Sequence, residues 1–311
     1  MARATKLVRV GTRGSSLALR QTEEVLEQLR VLHPATEFQV VTIKTGGDSA
    51  PEAPLASLGK AIFVKELEGA LLNGEADVAI HSLKDLPTQL PQGLTIGAVC
   101  RRLDPRDVLV NRWGCSLEEL PAGARIGTSS PRRAAQLRSL RRDVEVLPMR
   151  GNVDTRLKKA RAEDYDGAIL AAAGVIRMGL QDGVAQFLST EEFVPAPGQG
   201  ALALEVRIED DAMLSLVSGV EDAPTKRSVT AERSFLEALG GGCQLPMGAY
   251  ARSDGDMMVM TVFIASEDAQ QAFRTNVQGR ASNPHEVALD ARLRLVERGA
   301  GGLLTQSLST P

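Results

Sequence analysis

Short β-branched runs alternate with longer amphipathic stretches over the first two thirds of the chain. LVRVGT (7–12) and FQVVTIKT (38–45) read as strands, with SSLALRQTEEVLEQLR (15–30) as the helix between them. KAIFVKELEGALLN (60–73) places Phe63, Leu67 and Leu71 on one helical face, and Gly74 stands where a helix C-cap is expected. ADVAIHS (76–82) is a strand that ends in polar residues. This rhythm predicts a parallel or mixed sheet with helices on its faces.

The rhythm restarts after about residue 100. ARIGTSS (124–130) predicts a strand, and PRRAAQLRSLRR (131–142) a helix with Ser130 as N-cap and Pro131 at its first position. VEVLPMR (144–150) follows as a strand, Asn152 as the cap of the helix VDTRLKKARA, and YDGAILAAAG (165–174) as a buried strand running into another helix. QGALALEV (199–206) alternates with period two and follows a Pro/Gly hinge, VPAPGQG (194–200). The tail changes character: a helix (225–239), the loop GGGCQLP (240–246), alternating segments around 247–253, 257–265 and 271–277, and a helix (283–298) suit a small α+β domain. The two strand–turn–helix regions predict two lobes facing a cleft, with ligand at the strand ends and helix starts.

Composition narrows the function. Hydrophobic residues at 43% and charged residues at 24% suffice for real cores. Aromatics at 3% argue against reading bases by stacking, and a net charge of −3 provides no global field for nucleic acid or acidic lipid. Three cysteines, Cys100, Cys115 and Cys243, are too few and scattered for a disulfide framework. The longest apolar stretch, GAILAAAGVI (167–176), is far shorter than the roughly 18 residues a membrane helix needs, and MARATKLVRV lacks a signal-peptide core. A cytoplasmic, multidomain globular protein is expected.

Several motifs dissolve on inspection. GQGALA (198–203) matches a dinucleotide fingerprint but opens a strand where the fingerprint needs a helix. GxxxxGK[ST], HExxH, CxxC and GxSxG are absent, and His33, His81 and His285 are isolated, so no metal is expected. Three signals remain. Residues 132–161 hold ten basic side chains against Asp143, Glu145 and Asp154. For Arg138, Arg141, Arg142 and the 158–161 cluster, a solvated helix face is an adequate reading. Arg132, Arg133 and Arg150 fall at strand ends and helix starts, where backbone N–H groups already favour an anion, and Arg13 holds the equivalent place in the first lobe. A phosphate-binding protein or a multi-carboxylate enzyme fits equally. HSLKDLP (81–87) sets Lys84 beside Asp85, either as an incidental surface pair or as a carboxylate at the cleft mouth poised for a cation. Cys243 follows three glycines, which leave a thiol accessible, although most free cysteines are buried and inert.

Together, VGTRGSSLAL, GKAIFVKELE, ADVAIHSLKDLP, DPRDVLV, IGTSSPRRAAQL, MRGNVDTRL, AAAGVIRMGL, PAPGQGALALE and GGGCQLPMGAY closely resemble, in family order, the porphobilinogen deaminase (hydroxymethylbilane synthase) family. The resemblance implies a transferase of tetrapyrrole (porphyrin, haem) biosynthesis. It condenses four porphobilinogen molecules head to tail on a bound dipyrromethane primer, losing ammonia at each step, and then hydrolytically releases hydroxymethylbilane. It implies an α/β fold of three domains: 1–99 with 200–220, 100–199, and 221–311. The first two resemble type 2 periplasmic binding protein lobes around a cleft, and the third is a small α+β domain carrying the cofactor cysteine.

Site residues carry over by motif. Asp85 maps to the catalytic aspartate and Cys243 to the thioether attachment of dipyrromethane. Ser82, Lys84, Asp85, Thr128, Ser129, Ser130, Arg132, Arg133, Arg156 and Gly174 map to the cofactor's surroundings. Arg13, Ser15, Lys60, Phe63, Arg150, Arg156, Arg177 and Gln199 map to the substrate's. The implied partner is porphobilinogen, with no nucleic acid, no membrane and a monomeric chain. Three departures stand out: LGKA replaces the usual GGKG turn in the 46–60 lid and Ser57 a nearby lysine; Pro131 replaces a leucine; GGGC replaces EGGC. Two rivals, a two-lobed receptor for a small anion and a nucleic-acid binder resting on the 132–161 charge, lack a use for Cys243.

Overall fold

The computed structural model describes residues 6–46, 64–240 and 245–308 of the 311. The chain opens with β1 (Lys6–Arg13), α1 (Ser16–Leu32) and β2 (Thr36–Ile43). It continues with α2 (Lys65–Leu72), β3 (Val78–Ser82), a 3-10 turn (Leu83–Asp85) and β4 (Leu94–Val99). A second run follows: β5 (Asp107–Asn111), β6 (Arg125–Gly127), α3 (Pro131–Leu140), β7 (Glu145–Leu147), α4 (Val153–Lys159), β8 (Gly167–Ala171), α5 (Ala172–Arg177) and β9 (Gln186–Phe187). After β10 (Leu202–Arg207), α6 (Asp211–Ser218) and α7 (Ala223–Ala238), the tail forms β11 (Met247–Asp254), β12 (Met257–Ala265), β13 (Ala272–Arg280), α8 (Pro284–Leu295) and α9 (Gly301–Leu308).

Two compact units result, one of residues 1–102 with 201–226 and the other of 103–200 with 227–311. The first unit holds one five-stranded sheet in the order β2-β1-β3-β10-β4, and the second holds β7-β6-β8-β5-β9 together with the antiparallel β11-β12-β13. The two five-stranded sheets share one plan. Three parallel strands (β2, β1, β3; β7, β6, β8) meet an antiparallel strand (β10; β5), which pairs on its far side with a last antiparallel strand (β4; β9). The sheets are therefore mixed, with helices on their faces.

Alternation along the strands sorts the first sheet into two faces. Val8, Val10, Val78, Ile80, Leu202, Leu204 and Val206 join Val25, Leu26 and Leu29 of α1 and Met213, Leu216 and Val217 of α6 in one core. Each such aliphatic side chain, fully buried, contributes about 1.5–3 kcal/mol. The opposite face takes Ala79, with Leu67, Ala70 and Leu71 of α2. Ser15 caps α1, its hydroxyl accepting from the Ala18 N–H at 3.3 Å.

The Pro/Gly segment 194–200 is pinned and does not behave as a loose linker. Gln136 closes a two-way amide pair with Val194 at 2.6 and 3.0 Å, and the Ala249 N–H of β11 donates to the Pro195 carbonyl at 2.9 Å. A Cβ at Gly248 would lie 2.6 Å from the Val194 carbonyl, so this close approach requires glycine. Among the described residues no helix is long and apolar enough to cross a membrane.

Candidate active site

In the first unit the residues of interest gather at the C-terminal ends of β1 and β3. Leu83, 1% exposed, buries the 3-10 turn, and its N–H donates to the Ala201 carbonyl at 3.0 Å. The turn leaves Lys84 exposed and Asp85 half-buried. Arg13, Gln21, Val64, Ile80, His81, Ser82 and Asp85 line a cavity of about 20 Å³. Ser82 Oγ accepts from Gln21 Nε2 at 2.8 Å, which fixes the end of β3 against α1. The Asp85 carboxylate makes no hydrogen bond or ion pair with any described residue. A half-buried carboxylate beside an arginine, without a partner among the described residues, is chemically able to take a cation.

The second unit repeats the arrangement at the end of β6. Ser130 caps α3, accepting from the Arg133 N–H at 3.4 Å, with Pro131 at the helix start. Ser129 exchanges hydrogen bonds with the Met149 backbone at 2.9 and 3.1 Å, and Thr128 Oγ1 accepts from the Ser130 N–H at 3.2 Å. These hydroxyls shape the turn, and the expectation that they serve a ligand directly has to share them with that task.

Arg132 and Arg133 depart furthest from the expected role of open cleft cations. They are 5% and 6% exposed, and both reach Asp107, which is fully buried. Arg132 Nη1 donates to Asp107 Oδ2 at 2.6 Å and to the Val194 carbonyl at 2.7 Å. Arg133 donates through Nε at 3.0 Å and Nη2 at 2.7 Å to Asp107 Oδ1. Gln199, 1% exposed, adds Nε2 to Oδ1 at 3.0 Å, so its amide also belongs to this cluster. The physical reason is desolvation: a buried carboxylate needs counter-charge, and the nearest guanidiniums supply it. Burial alone would raise the Asp107 carboxyl, but the two arginines override it and hold it well below the usual carboxylate range. Both of these Arg132 hydrogen bonds use Nη1, and its Nε is buried without a hydrogen-bond partner.

The other expected cations lie nearby in the same unit. Arg150 is half-buried, with Nη1 likewise buried and lacking a hydrogen-bond partner. Arg156 Nε donates to the Gly151 carbonyl at 2.7 Å and Arg177 Nη2 to the Gly200 carbonyl at 3.3 Å. Gly174 is buried in the first turn of α5. Lys60, Phe63, Cys243 and all of the 46–60 lid except Gly46 lie outside the described residues.

Both arms of the Cys243 loop are described, and a residue that sequence reasoning passed over holds them. Glu232 of α7 is fully buried; its Oε2 accepts from the Gly198 N–H at 2.7 Å and its Oε1 from the Ala251 N–H at 2.8 Å. One carboxylate thus ties the helix before the loop and the strand after it to segment 194–200. Asp107 was also passed over, although DPRDVLV places it where an apolar strand begins. A charged residue opening a buried strand is the available signal. Among the described residues no group of His, Cys, Asp and Glu is arranged to hold a metal ion.

Comparison with known proteins matches residues 8–215 to the family described as "Porphobilinogen deaminase, dipyromethane cofactor binding domain" and 226–297 to "Porphobilinogen deaminase, C-terminal domain". A porphobilinogen deaminase of Syntrophus aciditrophicus is 45% identical over 97% of this chain and 98% of its own length. One of Thermus thermophilus is 46% identical over 97% and 99%. Among solved structures the Methionine Binding Protein MetQ aligns at 11% identity and TM-score 0.44, covering 76% of this chain and 96% of that one.

Proposed function

The chain belongs to the porphobilinogen deaminase family, and from that premise we infer which of its residues perform the reaction. The activity is that of a transferase of tetrapyrrole biosynthesis. It joins four porphobilinogen molecules head to tail on a dipyrromethane cofactor, with loss of ammonia and hydrolytic release of hydroxymethylbilane.

The residues present fit the cofactor. Dipyrromethane is a polycarboxylate, and Arg132 Nε and Arg150 Nη1 are buried cationic donors without hydrogen-bond partners, the state expected of groups shaped for an anion. Lys84, Arg132 and Arg156, with the Thr128–Ser130 turn and the Gly174 backbone, are the proposed holders of its carboxylates, and Cys243 its point of attachment. When bound, dipyrromethane supplies the free pyrrole α-carbon on which the chain is built. Arg13, Ser15, Arg150 and Arg177, with Lys60 and Phe63, are proposed to receive the acetate and propionate groups of the incoming porphobilinogen, and Gln199, its amide held by Asp107, to support them from behind.

Asp85 carries the chemistry in this reading. Loss of ammonia from porphobilinogen leaves a cationic methylenepyrrolenine, and an ionised carboxylate beside its N–H stabilises that charge as it develops. Joining releases one proton from the pyrrole α-carbon, which Asp85 accepts. The observation that supports this is the half-buried Asp85 carboxylate, left without a structural partner among the described residues, in the cavity shared with Arg13.

The chain is read as three domains, 1–99 with 200–220, 100–199 and 221–311; three separate sheets support this division. It is read as a cytoplasmic monomer whose partner is porphobilinogen. Free thiols at Cys100 and Cys115 suit a reducing compartment, and the net charge of −3 weighs against nucleic acid.

Intact mass tests the attachment. Purified protein is expected to exceed its chain mass by two deaminated porphobilinogen units, and Cys243→Ser is expected to lack them. A variant that still carries the excess places the attachment elsewhere. An unmodified wild-type chain that does not load on adding porphobilinogen removes the functional reading itself.

A further inference from the structure

The strand pair beneath the Asp85 cavity holds three titratable groups that the mechanism above does not use. His81 of β3 and Glu205 of β10 lie on the face of the first sheet that α2 covers, and Glu68 is the polar residue of α2 turned inward there. They are 6%, 0% and 5% exposed. His81 Nε2 stands 3.0 Å from Glu205 Oε2, off the line of a hydrogen bond. Glu68 Oε1, His81 Nε2 and both Glu205 oxygens are buried without a hydrogen-bond partner. Four such atoms in one place are unusual, because a buried polar group without a partner costs about 1–3 kcal/mol.

Charge explains the arrangement. Two buried carboxylates beside one imidazole present more acceptor atoms than donors, so the group as built lacks a donor. Burial first, then the charge of Glu205, push the Glu68 carboxyl up, against a smaller opposing pull from His81. Among the described residues, the other charged groups lining the cavity with the imidazole are Arg13 at the end of β1 and Asp85 in the turn after β3. His81 links the two settings, since it touches Glu205 on one side and lines the cavity with Asp85 on the other. At about 20 Å³ that cavity accommodates a single water.

We propose that Glu68, His81 and Glu205 form a buried proton-holding cluster that acts through Asp85, receiving and returning the proton each condensation turns over. The balance closes in every round. Porphobilinogen enters as its ammonium form, and its C–N bond breaks with the electron pair on nitrogen, releasing ammonia. The free α-carbon of the growing chain then forms a C–C bond to that methylene carbon, its C–H bond breaks with the electron pair restoring the pyrrole ring, and Asp85 takes the proton. The proton passes through the cavity water to His81 and the carboxylates, and it leaves with the ammonia as ammonium. The three are positioning residues, since none of them touches the reacting carbon.

Two measurements on the cofactor-loaded enzyme test this. Infrared difference spectroscopy at about pH 8, well above the ordinary glutamate value of about 4.3, is expected to show the carbonyl stretch of a protonated carboxyl group, lost in Glu68→Gln. His81→Asn and Glu205→Gln are expected to lower kcat at least about tenfold with KM held within about twofold, and to raise the solvent deuterium isotope effect on kcat. A wild-type spectrum without the protonated band overturns the proposal. So does either variant, His81→Asn or Glu205→Gln, with kcat and isotope effect unchanged. The proposal rests on Asp85 as the reacting carboxylate, and that reading fails separately, if Asp85→Ala keeps its turnover; the infrared band reports on the cluster alone.

Discussion

Replacing Asp85 with alanine lowers kcat by at least about 10²–10⁴, the range for losing a proton acceptor alone, with the lost electrostatic stabilisation added to it. The fold is expected to survive the change. Asp85 ends a three-residue turn anchored by Leu83, and its carboxylate holds no described residue in place. Stability to urea should therefore stay within about 0.5 kcal/mol of the parent, as for a position outside the core network. Single-turnover measurement of ammonia release separates the two duties. Asp85→Glu, which keeps the charge but moves it by one methylene, should recover part of the rate, whereas Asp85→Asn should recover little. Full turnover in Asp85→Ala would remove this residue from the reaction.

Asp107 gives the second large effect, on stability. Asp107→Asn leaves the guanidiniums of Arg132 and Arg133 buried without their counter-charge, and breaking a buried pair in this way costs about 3–5 kcal/mol. For a chain of this size the midpoint of thermal unfolding should fall by about 10 °C. The pH dependence has a definite sign. The folded carboxyl lies below its unfolded value of about 3.9, because the two arginines outweigh the opposing effect of burial. Its contribution is complete above that value and is lost as pH falls towards the folded one, so acid weakens the second unit. Urea unfolding at pH 7 and pH 3 reads this directly: Asp107→Asn should flatten the difference between the two. A loss of stability under about 1 kcal/mol at pH 7 would mean that Arg132 and Arg133 find other partners.

Much of the scaffold was legible because its signals are local. The Ser130-Pro131 cap and start of α3, the Gly-bounded α2 and the period-two run of β10 each rest on a few neighbouring residues, and each lies where the pattern puts it. The strands β4 and β5 and the helix α6 carry weaker periodicity and went unread. Order within the sheets was illegible, because β10 and β5 pair with strands remote in sequence and run against them. The site divides the same way. Asp85 and Cys243 were singled out through the wording of their motifs. The partners of Arg132, Arg133 and Glu232 depend on which buried group lies across a core, which no spacing encodes. Glu205 had a readable signal, as a charged residue at an inward position of GALALEV, and His81 lost its significance only because a lone histidine was sought as a metal ligand.

The place of β10 constrains the order in which the protein can be made. Among the described strands β4 joins its sheet through β10 alone, which inserts between β3 and β4 in the first sheet. A nascent chain leaving the ribosome therefore carries β1 to β4 for about a hundred residues before residue 207 is available to close them. By then β5 to β9 have all emerged, so the second sheet can assemble first although its residues come later. The amino-terminal unit waits meanwhile with β3 and β4 unpaired along the edges that β10 will fill, and exposed edges of this kind invite intermolecular pairing. Starved or stalled translation between residues 100 and 207 should accordingly be the interval of greatest aggregation, and a chaperone acting on this chain has its work in that interval.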